Sequence, residues 1–124
     1  QKVVAHVLDH IDYDAHLENV RKVYKSKCDA MMRVFKEKGS SKVHLTQPTG
    51  GMFAWMTMPD TVDCDEFFEA CMNKNVGIIK CGAFAADGVQ NGHAFRLSYT
   101  VPTIPEIEKG MEILCALTKD YCGE

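Results

Sequence analysis

The spacing of hydrophobic residues along the chain predicts a long helix near its start and an α/β core after it. From about Asp14 to Lys38, apolar residues recur every three or four positions, which is the period of an amphipathic helix. An apolar stretch over residues 3–8 predicts a shorter helix before it, with a break at residues 11–14. Gly39, followed by two serines, ends the long helix. A helix of this length would span roughly 37 Å, more than a small domain needs, which indicates a segment that bridges to another part of a larger molecule.

After residue 39 the hydrophobic pattern changes to a period of two, which is typical of β-strands. Val43 and Leu45 alternate with polar residues and predict a first strand with one solvent-facing side. A turn with two glycines leads to residues 52–58, where nearly every position is apolar, so we expect this second strand to be covered on both faces. Two further strands are predicted over residues 76–79 and 94–100.

Two more helices have recognisable start signals. Asp63 can cap a helix that runs to about residue 74, and Glu66, three positions later, can close a capping box. Thr103 and Glu106 form the same pattern before the last helix, whose apolar stripe extends to Leu117.

The order of elements is therefore long helix, strand, strand, helix, strand, strand, helix. It predicts an α/β (α+β) sandwich in which helices pack on a mixed, largely antiparallel sheet. We expect residues 1–124 to form a single domain, with a helical bridging segment over residues 1–38 and an α/β core over residues 39–124.

Composition narrows the classes of protein that this sequence fits. The 124 residues are 46% hydrophobic and 25% charged, which is ordinary for a globular domain. No apolar run approaches the roughly 18 residues of a membrane span. The net charge is −3, and the basic residues of the long helix alternate with apolar ones, so we expect neither a nucleic-acid nor a membrane partner. The chain begins with Gln1 rather than Met, which we interpret as a processed chain or a piece of a longer protein.

The cysteine and histidine residues show no pattern of a disulfide framework or a metal site. None of the six cysteines forms a CxxC pair, and several lie among apolar residues of predicted helices. We therefore expect reduced thiols that act as small hydrophobic residues in a cytoplasmic protein. His6 and His10 are four residues apart and could share a helix face, but no third ligand is recognisable near them.

Arg96 is the most informative residue for function. Alternation places Arg96 on one face of its strand and its neighbours Phe95 and Leu97 on the other. Two interpretations are open from the residues alone. Arg96 is either an arginine that reaches solvent from a surface strand, or a guanidinium group fixed on a rigid element so that it binds a carboxylate through two parallel hydrogen bonds.

Other residues that could carry chemistry have structural explanations. Capping and the helix dipole explain the acidic residues at the start of the third helix, which are Asp63, Asp65, Glu66 and Glu69. Lys80 ends a predicted strand, but nothing near it in sequence indicates the lowered pKa of a Schiff-base lysine. The sequence shows no catalytic triad and no phosphate-binding loop.

Three segments resemble the C-terminal part of the class I/II aminotransferases, which are pyridoxal-phosphate enzymes of fold type I. The segments are residues 48–55 (PTGGMFAW), residues 77–84 with Cys81-Gly82-Ala83-Phe84, and residues 95–99 (FRLSY). The resemblance extends to the long helix and covers essentially the whole chain. It is greatest to the branch that acts on aromatic amino acids, kynurenine and 2-aminoadipate.

The resemblance implies the C-terminal small domain of an enzyme that transfers an amino group between an amino acid and a 2-oxo acid. Arg96 would bind the α-carboxylate of the substrate, and Phe84 would lie in a loop that closes near it. The Schiff-base lysine and the partners of pyridoxal phosphate would lie upstream, in a large domain. This chain would then hold no catalytic, cofactor-binding or metal-binding residue and would be inactive alone, and the complete enzyme would be a homodimer.

One departure and one alternative accompany this resemblance. Cys81-Gly82 stands where the family usually has Pro-Gly, and the loop after it is shorter. The alternative function is a stand-alone, non-catalytic α/β module that binds a partner or a small carboxylate. The coding sequence upstream of Gln1 would distinguish the two, because a lysine-containing cofactor domain there supports the enzyme.

Overall fold

The helices and strands follow the predicted order, with a 3₁₀ turn between the last two strands. The computed structural model describes residues 1–86 and 92–124. The elements are α1 Lys2–His10, α2 Tyr13–Lys38, β1 His44–Leu45, β2 Phe53–Thr57, α3 Cys64–Asn73, β3 Ile79–Lys80, the 3₁₀ turn Cys81–Phe84, β4 Ala94–Ser98 and α4 Ile104–Cys122. This arrangement confirms an α+β fold with a long N-terminal helix.

The four strands form one sheet in the order β1-β2-β4-β3, so that β2 and β4 are its inner strands. Each of the three pairings among the described residues is antiparallel, in agreement with the largely antiparallel sheet that the sequence predicts. The register places Trp55 of β2 and Ile79 of β3 on either side of Arg96. The backbone that carries Arg96 is therefore paired along both of its edges.

Helices cover one face of the sheet and form the hydrophobic core with it. Met56 and Phe95 point from the sheet into this core and are fully buried. The Phe67 ring of α3 packs against the Phe95 ring with centroids 5.4 Å apart, and against the Tyr121 ring of α4 at the same distance. These contacts remove large aromatic areas from water and fix α3 and α4 to the sheet.

The long helix α2 is joined to α4 through its C-terminal half. Lys38 Nζ lies 2.6 Å from Glu112 Oε1, and Arg33 forms an ion pair with Glu108. The buried residues of α2 all lie in this half, whereas no residue of α1 is buried. No helix within the described part of the chain is long and apolar enough to cross a membrane. That residues 1–38 bridge to another domain stays a prediction.

The caps expected at Asp63 and Thr103 are formed, but the capping box expected between Asp63 and Glu66 is not. The Asp63 carboxylate accepts hydrogen bonds from the backbone N–H groups of Asp65 at 2.9 Å and Glu66 at 3.1 Å. The Glu106 carboxylate accepts one from the backbone N–H of Thr103 at 2.7 Å, as a capping box requires. At α3 the cap is carried by the aspartate alone.

Two predictions about the strands are wrong. The second strand is not covered on both faces: Met56 is buried, but its neighbour Trp55 is 36% exposed, because the helices pack on one face of the sheet. The third strand begins at Ile79 and not at Val76. The Val76 N–H instead donates to the Cys71 carbonyl at 2.9 Å and closes the end of α3, so it is not free to join the sheet.

Candidate functional site

Arg96 projects from the centre of the sheet on the face opposite the core. Its neighbours Phe95 and Leu97 are buried in the core, so alternation directs Arg96 to the other face, where Trp55 and Ile79 are exposed. The Arg96 side chain is half-buried there. We call this side of the sheet the open face.

Two phenylalanine rings pack against the guanidinium group of Arg96. Its Cζ atom lies 3.9 Å from the ring centroid of Phe53 and 4.2 Å from that of Phe84. Both distances are well inside the roughly 6 Å range of a cation–π interaction. Phe53 belongs to β2 and Phe84 to the turn after β3, and these two strands flank β4 on opposite edges. Arg96 is thus contacted by rings that come from both sides of its strand.

Trp55 completes this group of aromatic residues. Its ring meets the Phe84 ring edge-to-face, with centroids 5.8 Å apart and an interplanar angle of 89°. Trp55 also lies directly opposite Arg96 in the β2–β4 register. We refer to Phe53, Trp55 and Phe84 as the aromatic cluster.

The turn before β2 determines where Phe53 stands. Gly51 has a φ of 87°, a left-handed conformation that residues with a side chain rarely adopt. The Tyr99 hydroxyl, which follows β4, donates a hydrogen bond to the Gly51 carbonyl at 2.9 Å. This bond ties the turn to the end of the neighbouring strand and holds Phe53 across from Ser98.

The structure brings together the two residues that the sequence analysis selected, Arg96 and Phe84. Sequence reasoning did not select Phe53 and Trp55. The signal was present in the spacing, because two aromatic residues two positions apart must share a face of a strand. The prediction that β2 is covered on both faces gave no reason to place Phe53 and Trp55 at a surface site.

Arg96 differs from Arg33 in its electrostatic surroundings. Arg33 pairs with Glu37 and Glu108, whereas no carboxylate of residues 1–86 and 92–124 lies within 4.0 Å of the Arg96 guanidinium nitrogens. A guanidinium group that is packed by rings and has no acidic neighbour among these residues is suited to binding an external carboxylate.

Lys80 has a structural role on the other side of the sheet. Its Nζ donates a hydrogen bond to Asp65 Oδ1 at 2.6 Å and lies 4.7 Å from the ring centroid of Phe68. Both partners belong to α3, on the core side. The ion pair joins the end of β3 to the start of α3.

The described residues around Arg96 do not fit a pyridoxal phosphate group. The amine of Lys80 is turned away from the open face toward Asp65. The two glycines Gly50-Gly51 lead into β2, so the turn lacks the helix N-terminal amides that hold a phosphate in many proteins.

The remaining candidate groups have structural roles. All six cysteines are free thiols, and burial raises the pKa of Cys71 to about 12 and that of Cys115 to about 11. The His10 ring N–H donates to the His6 carbonyl at 2.7 Å. Within the described residues no group of three or more His, Cys, Asp and Glu side chains is arranged to hold a metal ion. Backbone N–H groups that bond to Asp63 lower the pKa of its carboxyl group, as expected for a cap.

Two surface clefts lie away from Arg96. One, of about 850 Å³, runs between the residues that precede β3 and the start of α4. The other, of about 630 Å³, lies between α2 and the turn before β2. Neither is lined by Arg96, whose neighbours Trp55, Ile79 and Phe84 are exposed.

Comparisons with known proteins agree with the resemblance in the motifs. No family model matches the chain. It is 31% identical over 113 residues to the 2-aminoadipate transaminase of Thermus thermophilus, a match that covers 91% of this chain and 28% of that protein. It is 32% identical over 108 residues to the aromatic-amino-acid aminotransferase 1 of Thermococcus litoralis, covering 86% of this chain and 25% of the relative. The chain thus spans between a quarter and a third of these relatives.

The fold has a near match in a solved structure. The crystal structure of LysN, the alpha-aminoadipate aminotransferase of Thermus thermophilus complexed with N-(5'-phosphopyridoxyl)-L-leucine, superposes with a TM-score of 0.88 at 30% identity. The match covers 97% of this chain and 30% of that one. A shorter similarity, 30% identity over 82 residues, connects the chain to the HTH-type transcriptional regulator NorG of Staphylococcus aureus, of which it covers 19%.

Proposed function

Because this chain belongs to the pyridoxal-phosphate-dependent aminotransferases of fold type I, we propose that it is the C-terminal small domain of such an enzyme. Its share of the activity is to bind the α-carboxylate of the substrate through Arg96. Residues 1–38 bridge this domain to the upstream large domain, and residues 39–124 form its core. The coverage of about a quarter of each relative supports the assignment to one part of a larger enzyme.

The observation that carries the proposal is the position of Arg96. It lies on an inner strand, on the open face, with its guanidinium group packed by Phe53 and Phe84. A fixed guanidinium fork binds a carboxylate with two parallel hydrogen bonds, which orients the amino acid as well as holding it. Phe84, on the 3₁₀ turn after β3, packs against Arg96 and lines the same candidate site.

We infer that the cofactor is held outside this chain. The described residues do not fit pyridoxal phosphate, and Lys80 is paired with Asp65. The Schiff-base lysine and the cofactor-binding groups then belong to the upstream domain, and residues 1–124 alone are inactive. The substrates of the complete enzyme are an amino acid and a 2-oxo acid, and we expect it to be a cytoplasmic homodimer.

The test is made in the complete enzyme that contains this chain. Truncating one partner of a buried charged pair costs about 2–5 kcal/mol. Arg96→Ala should therefore lower kcat/KM for an amino acid by roughly 30-fold to several thousand-fold. Arg96→Lys should restore only part of this loss, since it returns the charge but not the fork.

The comparison that decides the assignment uses two substrates. Half-reaction rates are measured for an amino acid and for the amine that lacks its α-carboxylate. The amine should lose little activity in either Arg96 variant. Arg33→Ala is the matched control, because Arg33 pairs with Glu108 on the outer side of the helices. Equal losses for the acid and the amine would show that Arg96 is a structural residue.

A second candidate is a non-catalytic module that binds a partner or a small carboxylate. The observation behind it is that NorG, named as a transcriptional regulator, is 30% identical to this chain over 82 residues. In that case Arg96 still binds a carboxylate, but no reaction follows. Expression of the complete reading frame separates the two. Transamination of an amino acid supports the enzyme, whereas carboxylate binding without turnover supports the module.

A further inference from the structure

We propose that Phe53 and Phe84 are positioning residues that fix the direction in which Arg96 presents its guanidinium fork, and that Trp55 holds Phe84 in place. The inference deepens the proposed function and rests on Arg96 binding a carboxylate. It assigns to these rings a role that acts through Arg96.

The contacts explain how two rings can orient one side chain. An arginine side chain is long and loses considerable rotamer freedom when it is held in one geometry. With Cζ 3.9 Å from one ring centroid and 4.2 Å from another, much of that freedom is already lost before a ligand arrives. A preorganised group binds more tightly because ordering no longer opposes binding.

The same contacts leave the hydrogen-bonding edge of the group available. An aromatic ring attracts the guanidinium group through the ring face, and this interaction uses no N–H donor. The donors remain in the plane of the group, where a carboxylate can meet two of them side by side. Packing by rings therefore favours the two-bond geometry over a single bond to one nitrogen.

The two rings are held by different means. Phe53 lies within the β2–β4 ladder, paired with Ser98. Phe84 lies on a short 3₁₀ turn and is 45% exposed. Its edge-to-face contact with Trp55, which itself lies opposite Arg96, supplies the support that the turn alone does not give.

The alternative is that these rings only supply apolar area to the open face. Substitution by leucine separates the two ideas, because leucine keeps the apolar bulk and removes the ring. Phe53→Leu and Phe84→Leu in the complete enzyme should each lower kcat/KM for the amino acid by roughly 3- to 30-fold, chiefly through a higher KM. For the amine without an α-carboxylate the loss should stay below roughly twofold. Tyrosine at either position should restore most of the activity, because it returns the ring.

A double-mutant cycle with Arg96→Gln tests whether the rings act through Arg96. Once the guanidinium group is gone, the leucine substitutions should cost nothing further. Phe68→Leu is the matched control: it removes a ring beside a cation, Lys80, on the core side of the sheet, and it should leave the ratio between acid and amine unchanged.

The outcomes separate the two proposals. If the leucine variants affect acid and amine equally, or if their cost persists beside Arg96→Gln, the positioning role is wrong while the carboxylate site stands. If Arg96→Gln itself affects acid and amine equally, the carboxylate site and the positioning role both fail.

Discussion

Lys80 and Arg96 lie on neighbouring antiparallel strands and point to opposite faces of the sheet. Ile79 pairs with Arg96, so Lys80, one residue further along β3, faces α3 and bonds to Asp65. The sheet therefore separates the guanidinium group of Arg96 from the amine of Lys80. Lys80 is thus paired within the chain, while Arg96, on the other face, is the group that we propose binds the substrate.

This separation predicts that residues 1–124 alone form no specific adduct with pyridoxal phosphate. Incubation with the cofactor, followed by borohydride reduction and peptide mass spectrometry, should show only scattered, substoichiometric labelling of exposed lysines. Lys80→Arg, which keeps the ion pair with Asp65, should leave the labelling unchanged. One adduct per chain at Lys80 would contradict the assignment of the cofactor to another domain.

The two faces of the sheet should differ in their contribution to stability. Met56→Ala deletes a fully buried side chain and should lower the free energy of unfolding by about 2–5 kcal/mol. Ile79→Ala removes a side chain that is 42% exposed on the open face and should cost about 1 kcal/mol. Urea denaturation followed by circular dichroism measures both. Similar costs for the two variants would mean that the open face is covered in solution.

The sequence predicted the elements well because their signals are local. Helix starts such as Asp63 and Thr103 are recognised from three or four neighbouring residues, and the period of two identifies the strands. Arg96 and Phe84 were selected from alternation and from the resemblance of short motifs. The contact between them was not predictable in this way, because it depends on strand register across the chain, which no local pattern specifies.

The error at β2 has a related origin. Phe53 and Trp55 are apolar although they stand on the open face, so the strand has the pattern of one that is buried on both sides. Large apolar residues on an exposed face are typical of a surface that another body covers. Hydrophobicity alone does not distinguish a strand covered by helices of the same chain from one covered by another protein surface.

Stability should fall on acidification through the carboxylates that are hydrogen-bonded in the folded chain. The hydroxyl and backbone N–H of Thr103 lower the pKa of Glu106, and Lys38 lowers that of Glu112. A lowered pKa in the folded state means that the stabilisation is fully present above the unfolded value, roughly 4.3, and is lost as the pH falls through the folded value.

The measurement is the midpoint of urea unfolding between pH 7 and pH 3. Glu106→Gln should be less stable at pH 7 and should lose less stability on acidification than the unmodified chain. Glu69→Gln is the matched control, since Glu69 is exposed on α3 and caps no helix. Parallel curves for Glu106→Gln and the unmodified chain would refute the contribution of the ionised Glu106 carboxylate to stability.

Thiol reactivity should divide the cysteines by burial. Burial raises the pKa of Cys71 to about 12 and that of Cys115 to about 11, so almost no thiolate forms at pH 8. Both should resist iodoacetamide in the folded chain, while the partly exposed Cys122 reacts. In urea all six should be alkylated, as mass spectrometry would reveal. Equal labelling of Cys71 and Cys122 without denaturant would contradict the described core.

Trp55 is the single tryptophan of the chain, and it stands beside Phe84 and opposite Arg96. The intrinsic fluorescence of the chain therefore originates at the candidate site and not in the hydrophobic core. Because the indole is already 36% exposed, its emission is a poor monitor of unfolding. It is instead a built-in optical probe for events at the open face, such as the arrival of a carboxylate or a shift of the Phe84 ring, and it needs no attached dye.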